Sequence, residues 1–442
     1  MDENNEENPL NEAEDVEDLQ ECLKLKEKKF FRISLSLALC NGVDAIETLA
    51  FGSVLTSYVD PHTNTRLDQD EILSGLLTSG VFVGMLLGGL ISGRIGDRWG
   101  RKPALLLSMG LNGISAVFSA LSPRLPGREV YWLLAFRILA GVGVGGSVPC
   151  AFSLMAEWSA NESRGFAMSL LSAAWTAGSI FTSLAAWIIL SPVDNTKTWP
   201  WFLLVASIPA FIAFFMTKAY VEEAPSSFRK VRTQISHEDD ANLIEPPLNF
   251  RTSATVTYFF VSLTTIGIAI IWFTLSFGSY GVATWIGDVF QNLGYKDPFG
   301  VSLLFNISSI PGNLISFYFV DRFGRKLLIF SGMTLSAVAA FLFTLLPEPW
   351  LVIACVCLYS TTTTLGWVGL GVISAESFPY QIRTTSLGIT AAFGRVGSIT
   401  ANLVNPYLLK QHAIVGVAGA NLLLGGIFSL LFLRDRTGHD LD

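Results

Sequence analysis

Charge is what this chain is shortest of: 15% of its 442 residues are Asp, Glu, Lys or Arg, against 51% hydrophobic, and the mean hydropathy is positive. No ordinary soluble domain needs that much apolar material for its core, so the excess must face lipid. Cysteine is scarce too. Of five, Cys22 precedes the first apolar run, while Cys40, Cys150, Cys355 and Cys357 fall inside expected membrane spans, which speaks against a disulfide framework. The glycine-rich run Gly141, Gly143, Gly145 and Gly146 has no phosphate-binding lysine after it. An ATP-driven pump is therefore disfavoured, and the run reads as a surface for close helix contact. No ring of charges or carbonyl filter motif suggests a channel. The N-terminal stretch lacks an apolar run, so no cleaved signal peptide is expected and insertion would rest on the first span.

What is present is a series of long uncharged runs, such as Pro103 to Pro123, Gly165 to Val193, Leu327 to Pro347 and Pro349 to Ala375. Each can cross a hydrocarbon layer of about 30 Å as a helix rising about 1.5 Å per residue. The first six spans are expected near Phe31 to Val59, Ile72 to Gly93, Pro103 to Ser122, Val130 to Trp158, Gly165 to Leu190 and Trp199 to Val221. The second six are expected near Ser253 to Val289, Pro298 to Val320, Leu327 to Leu346, Trp350 to Ala375, Thr384 to Leu409 and His412 to Leu433. The predicted organisation is a disordered acidic tail over 1–29, a six-helix bundle over 30–221, a polar linker over 222–252, a second six-helix bundle over 253–433 and a short tail over 434–442.

The formal net charge of −7 belongs to the N-terminal tail, which holds ten acidic residues between Asp2 and Glu21; the rest of the chain sums to +3. Of the 29 Lys and Arg residues, 21 fall on the side holding both termini, 6 on the other side, and two, Arg137 and Arg395, within spans. The termini are therefore expected in the cytosol, with the chain in the plasma membrane or an endomembrane vesicle. The sequon at Asn161 to Ser163 falls in an expected cytosolic loop and that at Asn306 to Ser308 inside a span, so neither is expected to carry glycan. Asp239 to Ile244 fits a short endomembrane sorting pattern, or else is a solvated charge run.

The two halves repeat. Asp97-Arg98-Trp99-Gly100-Arg101-Lys102 after the second span recurs as Asp321-Arg322-Phe323-Gly324-Arg325-Lys326 after the eighth, with five of six positions identical. Glu157 precedes Arg164 by seven residues after the fourth span, as Glu376 precedes Arg383 after the tenth. Two parallel halves related by an axis along the membrane normal follow. These residues suit either cytosolic charge clusters that close the inner face, or plain determinants of topology.

Gly93 through Lys102 resembles the loop signature of the major facilitator superfamily, and Arg137 through Gly146 resembles the fourth-span signature of its sugar porters and organic-ion transporters. Within that group, Asp44-Ala45-Ile46-Glu47, Gly145 through Pro149, Trp175, Trp367 and Arg383-Thr384-Thr385 resemble the synaptic vesicle glycoproteins and their two-related proteins. The chain departs from them in its linker, Glu223-Ala224-Pro225-Ser226-Ser227, and in lacking a large exoplasmic insertion. The resemblance implies an all-α membrane protein of twelve transmembrane helices in two pseudo-symmetric bundles. It implies a secondary transporter working by alternating access, neither an enzyme nor dependent on a cofactor or metal.

Asp44 and Glu47, three residues apart, share one face of the first span, and Arg137 is the natural partner of one of them. The trio reads as a proton-coupling device or as a permanent buried strut. Arg395 has no charged neighbour in sequence, and suits either a carboxylate ligand or a strut to Asp44 or Glu47. Trp175, Trp272, Tyr280, Phe305, Asn306 and Trp367 are candidate lining residues of a solute cleft. The seventh span contains Gly278-Ser279-Tyr280-Gly281, predicting either a broken helix or a tilted one with a glycine kink. The expected activity is proton-coupled transport of a small organic solute, an organic acid being favoured, by a monomer in the bilayer without nucleic-acid partners. The alternatives are a sugar or polyol held by residues such as Asn306, Thr361 and Trp367, and a non-transporting vesicle-membrane binding protein.

Overall fold

Inside hydrocarbon every backbone N–H and C=O must be satisfied within the protein, and the uncharged runs solve this as helices. The computed structural model describes residues 9–58, 70–126, 128–158, 164–190, 198–222, 263–319, 322, 324–377, 383–409 and 413–433. Within these, side chains are described from residue 28 onward, except at 93–94, 97–98, 156–157, 164–169, 375–376, 383–385 and 409. The first half comprises α1 (Pro9–Ser57), α2 (Glu71–Trp99), α3 (Arg101–Leu121), α4 (Glu129–Trp158), α5 (Arg164–Leu190) and α6 (Trp199–Tyr220). The second comprises α7 (Leu263–Asn292), α8 (Pro298–Ile307), α9 (Ser309–Phe319), α10 (Arg325–Leu345), α11 (Pro349–Glu376), α12 (Arg383–Leu409) and α13 (Ile414–Phe432). With α8 and α9 counted together, twelve spans among the described residues are long and apolar enough to cross a membrane.

The repeated loop motif does the same geometrical work in both halves. Gly100 (φ 99°) and Gly324 (φ 82°) take backbone angles that favour glycine, and α3 and α10 begin at the next residue, Arg101 and Arg325. The glycines of the fourth span form a seam. A Cβ on Gly141 would lie 2.1 Å from the Val81 carbonyl oxygen and one on Gly145 2.2 Å from that of Met85. From the other side, Gly84 and Gly88 of α2 meet the Ile138 and Val142 carbonyls at 2.1 and 2.2 Å. Four glycines thus let two backbones touch, which is how helices gain packing energy where lipid removes the hydrophobic drive.

One expectation differs from what is found, and of the two alternatives for the seventh span the broken helix is not found. Residues 9–29 belong to α1, a helix of 49 residues, rather than to a tail without secondary structure. The stretch is rich in Glu, Leu and Lys, all good helix formers, and most of its acids lie toward the helix N-terminus. The seventh span, described from Leu263, is unbroken through Gly278 to Gly281. There the glycines admit neighbours: a Cβ on Gly278 would come within 2.7 Å of Leu422 on α13, and one on Gly281 within 3.0 Å of the Ala401 Cβ on α12. The interruption lies in the eighth span instead, at Ser308, because Pro311 has no N–H for the Ile307 carbonyl and its ring crowds that oxygen. The linker and the pattern at Asp239 to Ile244 lie outside the described residues.

The halves meet along α1 with α7, α2 with α12 and α5 with α8. A Cβ on Gly52 would lie 2.3 Å from the Thr284 carbonyl oxygen and one on Gly75 3.3 Å from that of Asn402. Both contacts lie toward the face away from the termini.

Candidate functional site

Asp44, Glu47 and Arg137 are all buried, at 0%, 3% and 2% exposure. The arginine chooses Glu47: its Nη1 stands 3.6 Å from Glu47 Oε2, and its Nη2 donates to the Glu47 carbonyl oxygen at 2.8 Å. Its guanidinium also lies over the Phe51 ring, 5.2 Å from the centroid. Asp44 is held instead by neutral donors. Ser147 Oγ on α4 donates to its Oδ2 at 2.5 Å, and Asn112 Nδ2 on α3 donates to its Oδ1 at 3.2 Å. Asn112 reaches Asp44 past Gly143, where a Cβ would lie 2.1 Å from Asn112 Oδ1. Two acids three residues apart therefore have different roles, one neutralised by a cation and one solvated by amide and hydroxyl. Neither Asn112 nor Ser147 was among the sequence candidates, although Asn112 is a rare amide within the third span.

Tyr280 is the hub of a second group. Its ring contacts Phe82 of α2 at 5.2 Å and Trp175 of α5 at 6.2 Å in the first half, and Trp367 of α11 at 5.5 Å in the second, all between centroids. Trp272 adds an edge-on contact to Trp367 at 5.5 Å. Two indole N–H groups are occupied within the protein: Trp272 Nε1 donates to Ser374 Oγ at 3.1 Å and Trp367 Nε1 to Ser279 Oγ at 3.0 Å. The Arg395 guanidinium carbon stands 5.8 Å from the Tyr280 ring centroid. Among the described residues no carboxylate is within ion-pair distance of Arg395. Arg395, Tyr280, Trp175, Trp272 and Trp367 are each half-buried at mid-helix positions.

The remaining candidates lie elsewhere. Phe305 is buried in the hydrophobic core, and Asn306 donates to Ser183 Oγ on α5 at 2.6 Å. Thr361 Oγ1 donates to the Ser308 carbonyl oxygen at 2.6 Å. The side chains of Asp97, Arg98, Glu157, Arg164, Asp321, Glu376 and Arg383 lie outside the described residues, while Arg101 and Arg325 are half-buried at the starts of α3 and α10.

Twelve spans in two repeated halves, with ionisable and aromatic side chains gathered where the halves meet, define a membrane transporter of the major facilitator type. Residues 40–441 match the model of the sugar (and other) transporter family, and the chain belongs to that family. It is 26% identical to the niacin transporter of Acinetobacter baylyi, over 84% of this chain and 85% of that protein. It is 22% identical to synaptic vesicle glycoprotein 2C of Mus musculus, over 92% of this chain and 78% of that protein. In fold it matches the crystal structure of a D-xylose–proton symporter with a TM-score of 0.77 at 21% identity, covering 93% of this chain and 99% of that one.

Proposed function

We propose that the protein carries a small organic acid by alternating access, coupled to protons, with both termini in the cytosol. The observation that carries this reading is Arg395: a half-buried guanidinium beside an aromatic cluster shared by both halves, with no acid paired to it among the described residues. A guanidinium grips a carboxylate with two parallel hydrogen bonds, and the ring faces around it accept a flat apolar body. The likeness to a niacin transporter agrees, since niacin is an aromatic carboxylate. Asp44 supplies the proton site in this reading, because Glu47 is committed to Arg137. The sugar alternative is weakened by the engagement of Asn306 and Thr361 within the protein.

The test is a thermal-shift series on the purified protein with benzoate, niacin, xylose and a quaternary amine, since bound ligand raises the melting temperature by mass action. Aromatic carboxylates should raise it, Arg395→Lys should weaken the effect and Arg395→Ala should abolish it. Stabilisation by xylose alone would overturn the organic-acid reading.

A further inference from the structure

Three hydrogen bonds join α5 of the first half to the α8–α9 span of the second. From the rim inward, Trp187 Nε1 donates to Asp297 Oδ2 at 2.9 Å, Asn306 Nδ2 to Ser183 Oγ at 2.6 Å, and Asn313 Nδ2 to Thr176 Oγ1 at 2.8 Å. On α5 the three positions are spaced seven and four residues apart, so they line one face of that helix. Trp187 is 40% exposed at one end of the row and Asn313 is 7% exposed at the other. Asp297 does two jobs: its Oδ2 takes the bond from Trp187, and its Oδ1 accepts from the Gly300 N–H at 2.9 Å, capping α8.

The helix that bears this row is broken at Ser308, and hydroxyls add bonds to carbonyls on either side of the break. Ser308 Oγ donates to the Leu304 carbonyl at 2.7 Å, Ser309 Oγ to that of Asn306 at 2.6 Å, and Thr361 Oγ1 on α11 to that of Ser308 at 2.6 Å. Past the break, α9 is pressed to its own half: a Cβ on Gly312 would lie 2.2 Å from the Thr361 carbonyl oxygen. The outer piece, α8, reaches across to α5 more extensively, while α9 bonds to α5 through Asn313.

We propose that this row is the latch that keeps the carrier shut on the face away from the termini, and that α8 swings about Ser308 once the row, the Asn313 bond on α9 included, has released. The row is made of bonds between neutral groups, with one carboxylate at the wet rim. Such bonds exchange for water at small net cost, as a contact broken once per cycle must. On this view Asn306 is a latch residue and not a ligand for solute. The inference rests on the alternating-access reading and holds whatever the solute.

The experiment uses full-length protein in proteoliposomes with Trp175→Cys as a reporter, labelled by a membrane-impermeant thiol reagent added to either face. Asn306→Ala with Asn313→Ala should raise labelling from the face away from the termini roughly tenfold, which the loss of two neutral bonds allows. Cross-linking Ser183→Cys to Asn306→Cys should stop it, and a reductant should restore it in the same molecules. Pro311→Ala, which returns the missing backbone donor, should slow it. A reporter labelled from both faces in the parent protein, with a rate indifferent to cutting and to cross-linking the row, overturns the latch while leaving alternating access standing. A reporter that labels from one face only, in the parent and in every variant, overturns both. If the alanine pair does not fold, the reversible cross-link decides alone, and unchanged labelling in Pro311→Ala overturns the hinge at Ser308.

Discussion

At the scale of single residues, rarity of charge made the site legible. An ionisable group inside a membrane span is costly and is kept for a reason, so Asp44, Glu47, Arg137 and Arg395 stood out in the sequence alone. Which acid takes Arg137 was not legible, because both share a helix face and the choice is made by Ser147 on α4 and Asn112 on α3. The choice has measurable consequences. Glu47→Gln should leave the Arg137 guanidinium buried without its countercharge and lower stability by about 3–5 kcal/mol, and Arg137→Gln added to it should recover much of that loss. Chemical denaturation in detergent would measure both; additive losses would show that the pair does not act as a unit. Asp44→Asn leaves an acceptor for Asn112, and Ser147 can turn its O–H to the Val144 carbonyl it already meets at 2.9 Å and accept from the new amide, so the protein should fold normally. On the proton-coupled reading it should lose uphill uptake yet retain exchange, measured with the acid that gives the largest thermal shift.

At the scale of helices, hydropathy located the spans because each must be apolar along a membrane's thickness. It could not tell which span is broken. Gly278 and Gly281 suited a break or a kink in the seventh; the helix is unbroken there, they make room for α13 and α12, and Asn405 Nδ2 donates to the Gly281 carbonyl at 2.9 Å. Pro311 lay unremarked inside a run that looked continuous, although its missing N–H is what parts α8 from α9. The same contrast between a glycine that is needed and one that is not gives a clean test. Gly141→Val should cost about 3 kcal/mol or more, because a Cβ 2.1 Å from a backbone oxygen forces two helices apart. Gly371→Ala, where nothing lies within 4 Å of the new Cβ, should be neutral or stabilising by up to about 1 kcal/mol. Melting temperatures in one detergent would compare the two.

At the scale of the molecule, the duplicated loop was the strongest sequence signal, and it survives as a duplicated turn at Gly100 and Gly324. How the halves face each other was not legible, since that depends on pairs far apart in the chain, such as Trp187 with Asp297. The ring cluster at Tyr280 has an optical consequence. Three of the eleven tryptophans, Trp175, Trp272 and Trp367, belong to it, and Trp175 is on the opposite half from the other two. When the halves part, the indole of Trp175 must leave the ring of Tyr280, so the emission of the unlabelled protein should change colour and intensity with the carrier's state. A Trp175→Phe protein should keep the emission of the other ten while losing most of the change that a stabilising ligand produces. A change of undiminished size would mean that the cluster stays together throughout the cycle.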